Sequence, residues 1–390
     1  MKIALLGGAG AMGRVTLHDL LDSPDVKEVL VGDINLDAAT NLIESLGDPR
    51  LEAASVDVRD VEGTAEIVRG CDVLINSTQY YFNMEVMRAS LLAGVHYLDL
   101  GGLFHMTRKQ MSLDEDFKKA GILAVLGCGS TPGITNVMAR YAADRLEEVE
   151  SVDIKIGAVD FTESEALFST PYSIDTVLDE CVMSPWIYDG DQWVELPPFS
   201  GGEEIQFPAP IGLNTAHYTI HSEVATFPLS FKTKGIRRAT FRLALPSDFI
   251  RTVKTLVDLN LADDTPRNVR GVQVKPRDVL VSVLTPLAAS NGAVPNDCDC
   301  LRVEVAGKRG GRAVHYTMES IIYPKVEWRA SAGAYDTGVP PSIIAQMMAR
   351  GDIPERGVLN PEQCVPAVPF FEALAERGIH MDAITRERLA

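Results

Sequence analysis

Long hydrophobic runs are missing from this chain. No stretch reaches the ~18 apolar residues that cross a bilayer. The strand-like pattern that begins at Lys2 leaves no place for a signal peptide, so a cytoplasmic protein is expected. Positive charge is also short: 36 Lys and Arg face 54 Asp and Glu, for a net charge of −18. Such a surface repels phosphate backbones and argues against nucleic acid as a partner. Cysteine is sparse and scattered. Only Cys298 and Cys300 lie close together, and their spacing is not that of a zinc site. Reduced, structural thiols and no metal centre are expected. Internal repeats and low-complexity segments are absent too. What remains is 46% hydrophobic and 23% charged over 390 residues, a composition suited to a globular enzyme with room for two domains.

The chain opens MKIALLGGAGAMGRVTLHDLL. Lys2–Leu6 reads as a buried strand and Ala11–Leu21 as an amphipathic helix, with a second strand at Glu28–Val31. Gly8, Gly10 and Gly13, with Ala11 and Met12 between them, therefore fall between a strand and a helix. That context makes the glycine spacing a dinucleotide fingerprint. Gly8 permits the tight turn, Gly10 lets a pyrophosphate reach the backbone, and Gly13 lets the helix pack on the strand. The helix N-terminus offers free N–H groups to the phosphates. Asp33 ends the second strand, where a carboxylate accepts the adenosine ribose hydroxyls and repels a 2′-phosphate. NAD is thus favoured over NADP.

Strand and helix patterns go on alternating to Leu126, which predicts a parallel, doubly wound sheet. Ligands bind beyond the carboxyl ends of such strands. Those ends carry Asp57, Asn76, Ser77, Thr78, Asp99 and Gly101. From about Glu150 the pattern changes to alternating strands, a long stretch at 161–227 that reads as irregular, and helices at 248–259 and 276–287. This is an α+β pattern with a mainly antiparallel sheet. Helices return after Val339-Pro340-Pro341. The expected layout is a Rossmann domain at 1–130, completed by C-terminal helices within 337–390, and a substrate-binding and dimerisation domain at 131–336.

Several stretches resemble the saccharopine dehydrogenase-like oxidoreductases, and most closely the lysine 6-dehydrogenase branch. They are the glycine loop, Gly94-Val95-His96-Tyr97-Leu98-Asp99-Leu100-Gly101-Gly102, and Pro132-Gly133 with Asn136. Val274-Lys275-Pro276-Arg277-Asp278-Val279-Leu280 and the tail GDIPERGVLNPEQCVP complete the set. The resemblance implies NAD-linked oxidation of an amine and a homodimer formed through the second domain. It implies that Asp33 and Asp57 contact the adenosine half, and that the Asn76–Thr78 and Asp99–Gly101 loops lie near the nicotinamide. One element departs. Where the branch carries an Arg-aromatic-x-Gly-His segment, this chain reads Phe231-Lys232-Thr233-Lys234-Gly235-Ile236-Arg237-Arg238. The substrate is therefore left open.

Oxidising an amine requires a neutral nitrogen, a group to take its proton, and a nearby nicotinamide. Candidate proton carriers are Asp99 at a strand end, and His217, His221 and Glu223 in one short segment. Tyr80 and Tyr81 are candidates for the substrate wall, and Arg237, Arg238 and Arg242 for gripping a carboxylate. Three functions compete. The first is oxidative deamination of an amino-acid amine. The second is reductive condensation of an amine with a keto acid, as in saccharopine formation. The third is a non-catalytic NAD-binding regulator.

Overall fold

The computed structural model describes residues 1–163, 173–288 and 293–388. The first half alternates β1 (Lys2–Leu6), α1 (Ala11–Asp22), β2 (Glu28–Asp33), α2 (Leu36–Leu46), β3 (Leu51–Ser55), α3 (Val61–Val68), β4 (Val73–Asn76), α4 (Asn83–Ala93), β5 (His96–Asp99), α5 (Leu103–Gln110), α6 (Asp114–Ala120) and β6 (Leu123–Val125). The second half runs through α7 (Ile134–Ala143), β7 (Glu148–Asp160), α8 (Ile174–Val182), β8 (Trp186–Asp189), β9 (Gln192–Glu195), β10 (Glu203–Gln206), β11 (Leu213–Tyr218), α9 (Glu223–Ser230) and β12 (Arg238–Ala244). It continues with α10 (Ser247–Asp258), β13 (Arg267–Val269), β14 (Val272–Val274), α11 (Pro276–Ala288), β15 (Asp297–Arg309) and β16 (Arg312–Ile322). The tail adds α12 (Ala332–Arg350), β17 (Gly357–Leu359), α13 (Pro361–Cys364), α14 (Ala367–Ala375) and β18 (Asp382–Glu387).

The expected doubly wound sheet is present. Seven parallel strands run in the order β17-β6-β5-β4-β1-β2-β3. Its central strands carry apolar, fully covered runs at Ile3–Leu6 and Val73–Ile75, as parallel strands between helix layers must. The second sheet has nine strands, with the main order β10-β11-β12-β7-β15-β16-β18. Its pairings are antiparallel except that β12 runs parallel to β7. The stretch that reads as irregular holds α8, four short strands and the start of α9; its part at 164–172 lies outside the described residues.

The C-terminal part divides between the two sheets. α12 packs on α1 so closely that a Cβ on Gly338 would meet Val15 Cβ at 2.5 Å, and Thr16 Oγ1 donates to the Gly338 carbonyl at 2.7 Å. β17 extends the first sheet beside β6, but β18 pairs with β16 of the second. α12 also starts earlier than the Pro340-Pro341 signal predicts. Ser331 caps it by accepting from Ala334 N, and the two prolines lie inside it. They remove only the N–H groups that would reach the Asp336 and Thr337 carbonyls. All six cysteines are buried and unpaired. Among the described residues no helix is long and apolar enough to cross a membrane, and no His, Cys, Asp and Glu group could hold a metal.

Candidate active site

One cleft of about 710 Å³ runs between the sheets. Its first end is the glycine loop. Gly7, at φ +72°, makes the turn, not Gly8. Gly8 is constrained by packing instead: a Cβ there would meet Val31 Cγ1 at 2.6 Å. Gly13 faces the backbone of Gly7 and Gly8, so neither it nor Gly8 touches the cleft. Gly10, Ala11 and Met12 do line it. Gly10 is the N-cap of α1 and offers no side-chain cap, and no acidic residue follows in the first turn, leaving N–H groups for an anion. Ser77 Oγ is buried at the same end without a partner. These features fit a bound pyrophosphate. Gly10→Val is expected to abolish dinucleotide binding, followed by NADH fluorescence, while the fold survives: the only close neighbour of the added Cβ is Gly7 O at 3.1 Å, and the rest of the side chain enters the cleft.

Asp33 and Asp57 line the same end. Asp33 accepts from Ala9 N and Asn35 N, and Asp57 is forked onto Arg59 at 2.8 and 2.6 Å. Thr78, Tyr80 and Gly101 line the middle of the cleft. Asn76 does not. It is 1% exposed, and its amide positions the loop by accepting from Thr78 N and Oγ1.

The far end holds the titratable groups. His221 lies flat against Phe241, with ring centroids 3.7 Å apart, and its Nδ1 makes a short contact with Glu223 Oε2. Glu223 sits behind it, 1% exposed, and also accepts from Thr131 Oγ1 at 2.6 Å and Thr135 Oγ1 at 3.0 Å. Burial alone would lower the His221 pKa, but the charge and hydrogen bond of Glu223 outweigh it and hold it above the ordinary 6.5. Glu223 moves the opposite way: burial raises it, and His221 and Thr131 pull it down further. Opposite them, Asp299 from β15 and Asp336 from α12 reach the cleft, and Asp336 accepts from Ser130 Oγ at 2.7 Å. Burial first, and then neighbouring carboxylates, pushes both carboxyls up: Asp297 and Asp160 act on Asp299, and Asp299 and Asp297 act on Asp336; burial takes Asp297 itself to about 6. Glu180, from α8, completes the wall.

Several expected site residues lie elsewhere. Asp99 does not point into the crevice; it is fully buried and accepts four hydrogen bonds. Arg242 faces away because strand alternation turns Phe241 and Leu243 inward, so the residue between them points out of the cleft, to Tyr218 OH at 2.5 Å and Glu203 at 3.4 Å. Arg237 and Arg238 border a separate hollow with Glu150 and Asp189. His217 is on β11 beside Gly202, outside the cleft, and Tyr81 is exposed on the surface. Sequence reasoning missed Glu180, Asp299 and Asp336. The alternation Asp297-Cys298-Asp299-Cys300-Leu301 places Asp299 on the same face as the inward Leu301, and that was the available signal.

Residues 3–125 match the saccharopine dehydrogenase NADP binding domain, and residues 129–379 match the saccharopine dehydrogenase C-terminal domain. The chain belongs to the saccharopine dehydrogenase family. Within that family it is similar to the carboxyaminopropylagmatine dehydrogenase of Synechocystis sp., at 26% identity over 97% of this chain and 96% of the relative. It is similar also to the carboxynorspermidine synthase of Vibrio cholerae, at 27% identity over 97% and 96%. In fold it matches the saccharopine dehydrogenase (L-Glu forming) of Saccharomyces cerevisiae, with a TM-score of 0.76, 18% identity and 99% of both chains covered. The family member described here is an NAD(P)-dependent oxidoreductase acting on a C–N bond of an amine.

Proposed function

We propose that this enzyme joins a primary amine of a di- or polyamine to a carbonyl compound that carries a carboxyl group, and reduces the product to a secondary amine. A carbonyl and an amine lose water to form C=N, and a hydride and a proton convert that to CH–NH. The dinucleotide, when bound, supplies the hydride. The carrying observation is the charge of the cleft. Beyond Arg59 at the adenosine end, no Lys or Arg among the described residues lines it, whereas Glu180, Asp299 and Asp336 do. The Asp299 and Asp336 carboxyls, pushed up by burial and by neighbouring carboxylates, regain their charge most readily beside a cation, so the pocket favours a substrate with more than one ammonium group. The three candidate arginines lie outside the cleft, so a carboxylate lacks that grip in either reaction; what favours a diamine over a lysine-like amino acid is the acidic lining. The names of the two relatives that share almost the whole chain favour the same reading. The cleft is also open past Gly101, which speaks against a purely regulatory binder.

In this reading His221 is the proton carrier. Its Nδ1 is held by Glu223, so Nε2 is the nitrogen left for the substrate. The test is NADH consumption with diaminopropane or diaminobutane plus aspartate semialdehyde or succinic semialdehyde, with the product identified by mass spectrometry. A secondary amine containing both carbon skeletons is expected. NADH formation from lysine alone, with no condensation product from any pair, would overturn it.

NAD is the proposed dinucleotide. Asp33 borders the adenosine end, and the charge of Arg59 is engaged by Asp57. Asp33→Ala is expected to shift the ratio of kcat/KM from NAD toward NADP by about 10- to 100-fold, as loss of one carboxylate contact and one repulsion would. An unchanged ratio removes Asp33 from the selection.

A further inference from the structure

The Val274–Leu280 stretch, so distinctive in the sequence, does not touch the cleft. Its Arg277 is nevertheless 8% exposed and heavily engaged. Nη1 donates to Asp179 at 2.6 Å, Nε to Asp175 Oδ1 at 3.2 Å, and Nη2 to the Asp175 carbonyl at 2.6 Å. Asp264 stands 3.7 Å from Nη1. The other oxygen of Asp179 accepts from the hydroxyl of Tyr80 at 2.8 Å, and Tyr80 lines the middle of the cleft.

α8 therefore has three working faces. Ile174, Val177, Leu178 and Cys181 pack with Val253, Leu280 and Leu284 of α10 and α11. Asp175 and Asp179, one turn apart, face Arg277. Ser173, Thr176 and Glu180 follow one another at helical spacing along the cleft wall. Three carboxylates thus sit within two turns of one helix, and Arg277 fixes which of them enters the cleft. It holds Asp175 and Asp179 on the outside, and Glu180 is the one presented to the substrate, close enough for its charge to act on His221. Tyr80 ties the same helix to the loop after β4, so the distance between that loop and Glu180 is set by one hydrogen-bonded chain: Tyr80, Asp179, Arg277.

We propose that Arg277 is a positioning residue that sets how long an amine chain the cleft accepts, by fixing Glu180 as the acceptor of the substrate's distal ammonium. This rests on the amine reading above. Removing the guanidinium leaves the buried Asp179 and the half-buried Asp175 without their counter-charge, and α8 can relieve their repulsion by shifting or turning. A turn by one residue exchanges Glu180 for Asp179 at the wall, and each residue of shift along the axis moves the acceptor by about 1.5 Å.

The test is calorimetric binding of diaminopropane, diaminobutane and diaminopentane to the full-length protein saturated with NAD, so that it does not depend on turnover. Wild type is expected to prefer one length. Glu180→Gln should weaken all three by about 10- to 100-fold, the loss of one charge-assisted hydrogen bond. Arg277→Ala should flatten the preference among lengths, with the NAD dissociation constant unchanged. Arg277→Lys keeps the charge but not the fork and should restore part of the preference. If Arg277→Ala does not fold, the Lys variant and Glu180→Gln decide. Wild-type length preference retained in a folded Arg277 variant overturns the proposal alone. Failure of every diamine to bind wild type overturns the amine reading as well.

Discussion

His221→Ala is expected to lower kcat by about 10²- to 10³-fold, the usual worth of a positioned proton carrier, while the NAD dissociation constant stays within about twofold. His221 is 6% exposed and lines the cleft, and among the described residues no other imidazole does. The ring is fixed from two sides, by Phe241 on its face and Glu223 at Nδ1. Glu223 in turn is held by hydroxyls of Thr131 and Thr135 at the entry of α7. A packing role alone would cost stability and leave kcat of the folded fraction near wild type. That result would remove His221 from the chemistry.

The pH dependence carries a sign that can be checked. Condensation followed by reduction needs a proton at the nitrogen, so the imidazolium is the active form and the rate falls as pH rises through the His221 pKa. Glu223 holds that pKa above 6.5 against burial. In Glu223→Gln the counter-charge is gone and burial acts unopposed by it, so the falling limb should move to lower pH. In the oxidative direction the neutral ring accepts the proton, the rate rises through the same pKa, and the variant moves that rise to lower pH too. A limb that stays in place, or moves up, contradicts the pairing.

The dinucleotide end was legible in the sequence because its chemistry is local. A strand, a glycine turn and a helix N-terminus follow one another, and Asp33 ends the next strand. The substrate end was not, for the opposite reason. Asp299 and Asp336 meet only because β15 and α12 pack at the domain junction. Glu180 sits on a short helix inside a stretch whose Pro, Gly and aromatic content hides helical spacing. β17 and β18 were missed similarly: one has three residues and the other is largely exposed, so neither carries a strand pattern of its own. Arg242 shows a different failure. The alternation of Phe241, Leu243 and Leu245 was readable, and it puts the arginine on the face away from the cleft.

Asp99 was legible as a strand-end residue but not in direction, and its role follows from where its four donors come from. Tyr97 OH approaches at 2.8 Å, Gln110 Nε2 at 2.5 Å, Gly101 N at 2.9 Å and Gly127 N at 2.8 Å. Burial keeps the carboxyl above its ordinary pKa although all four donors pull the other way. Through these bonds one carboxylate fixes the turn at Gly101, the turn at Gly127, and, by way of Tyr97 and Asn76, the loop that carries Thr78. Asp99→Ala strands four donors at once, three of them buried, and is expected to cost about 3–5 kcal/mol of stability in urea unfolding, with weaker dinucleotide binding because three loops around the cleft lose their common support. Asp99→Asn separates this role from catalysis. The amide keeps the shape but turns an N–H toward a donor, so it too should lose stability. A base at this position would instead show wild-type unfolding and a collapsed kcat, and that pattern would return Asp99 to the active site.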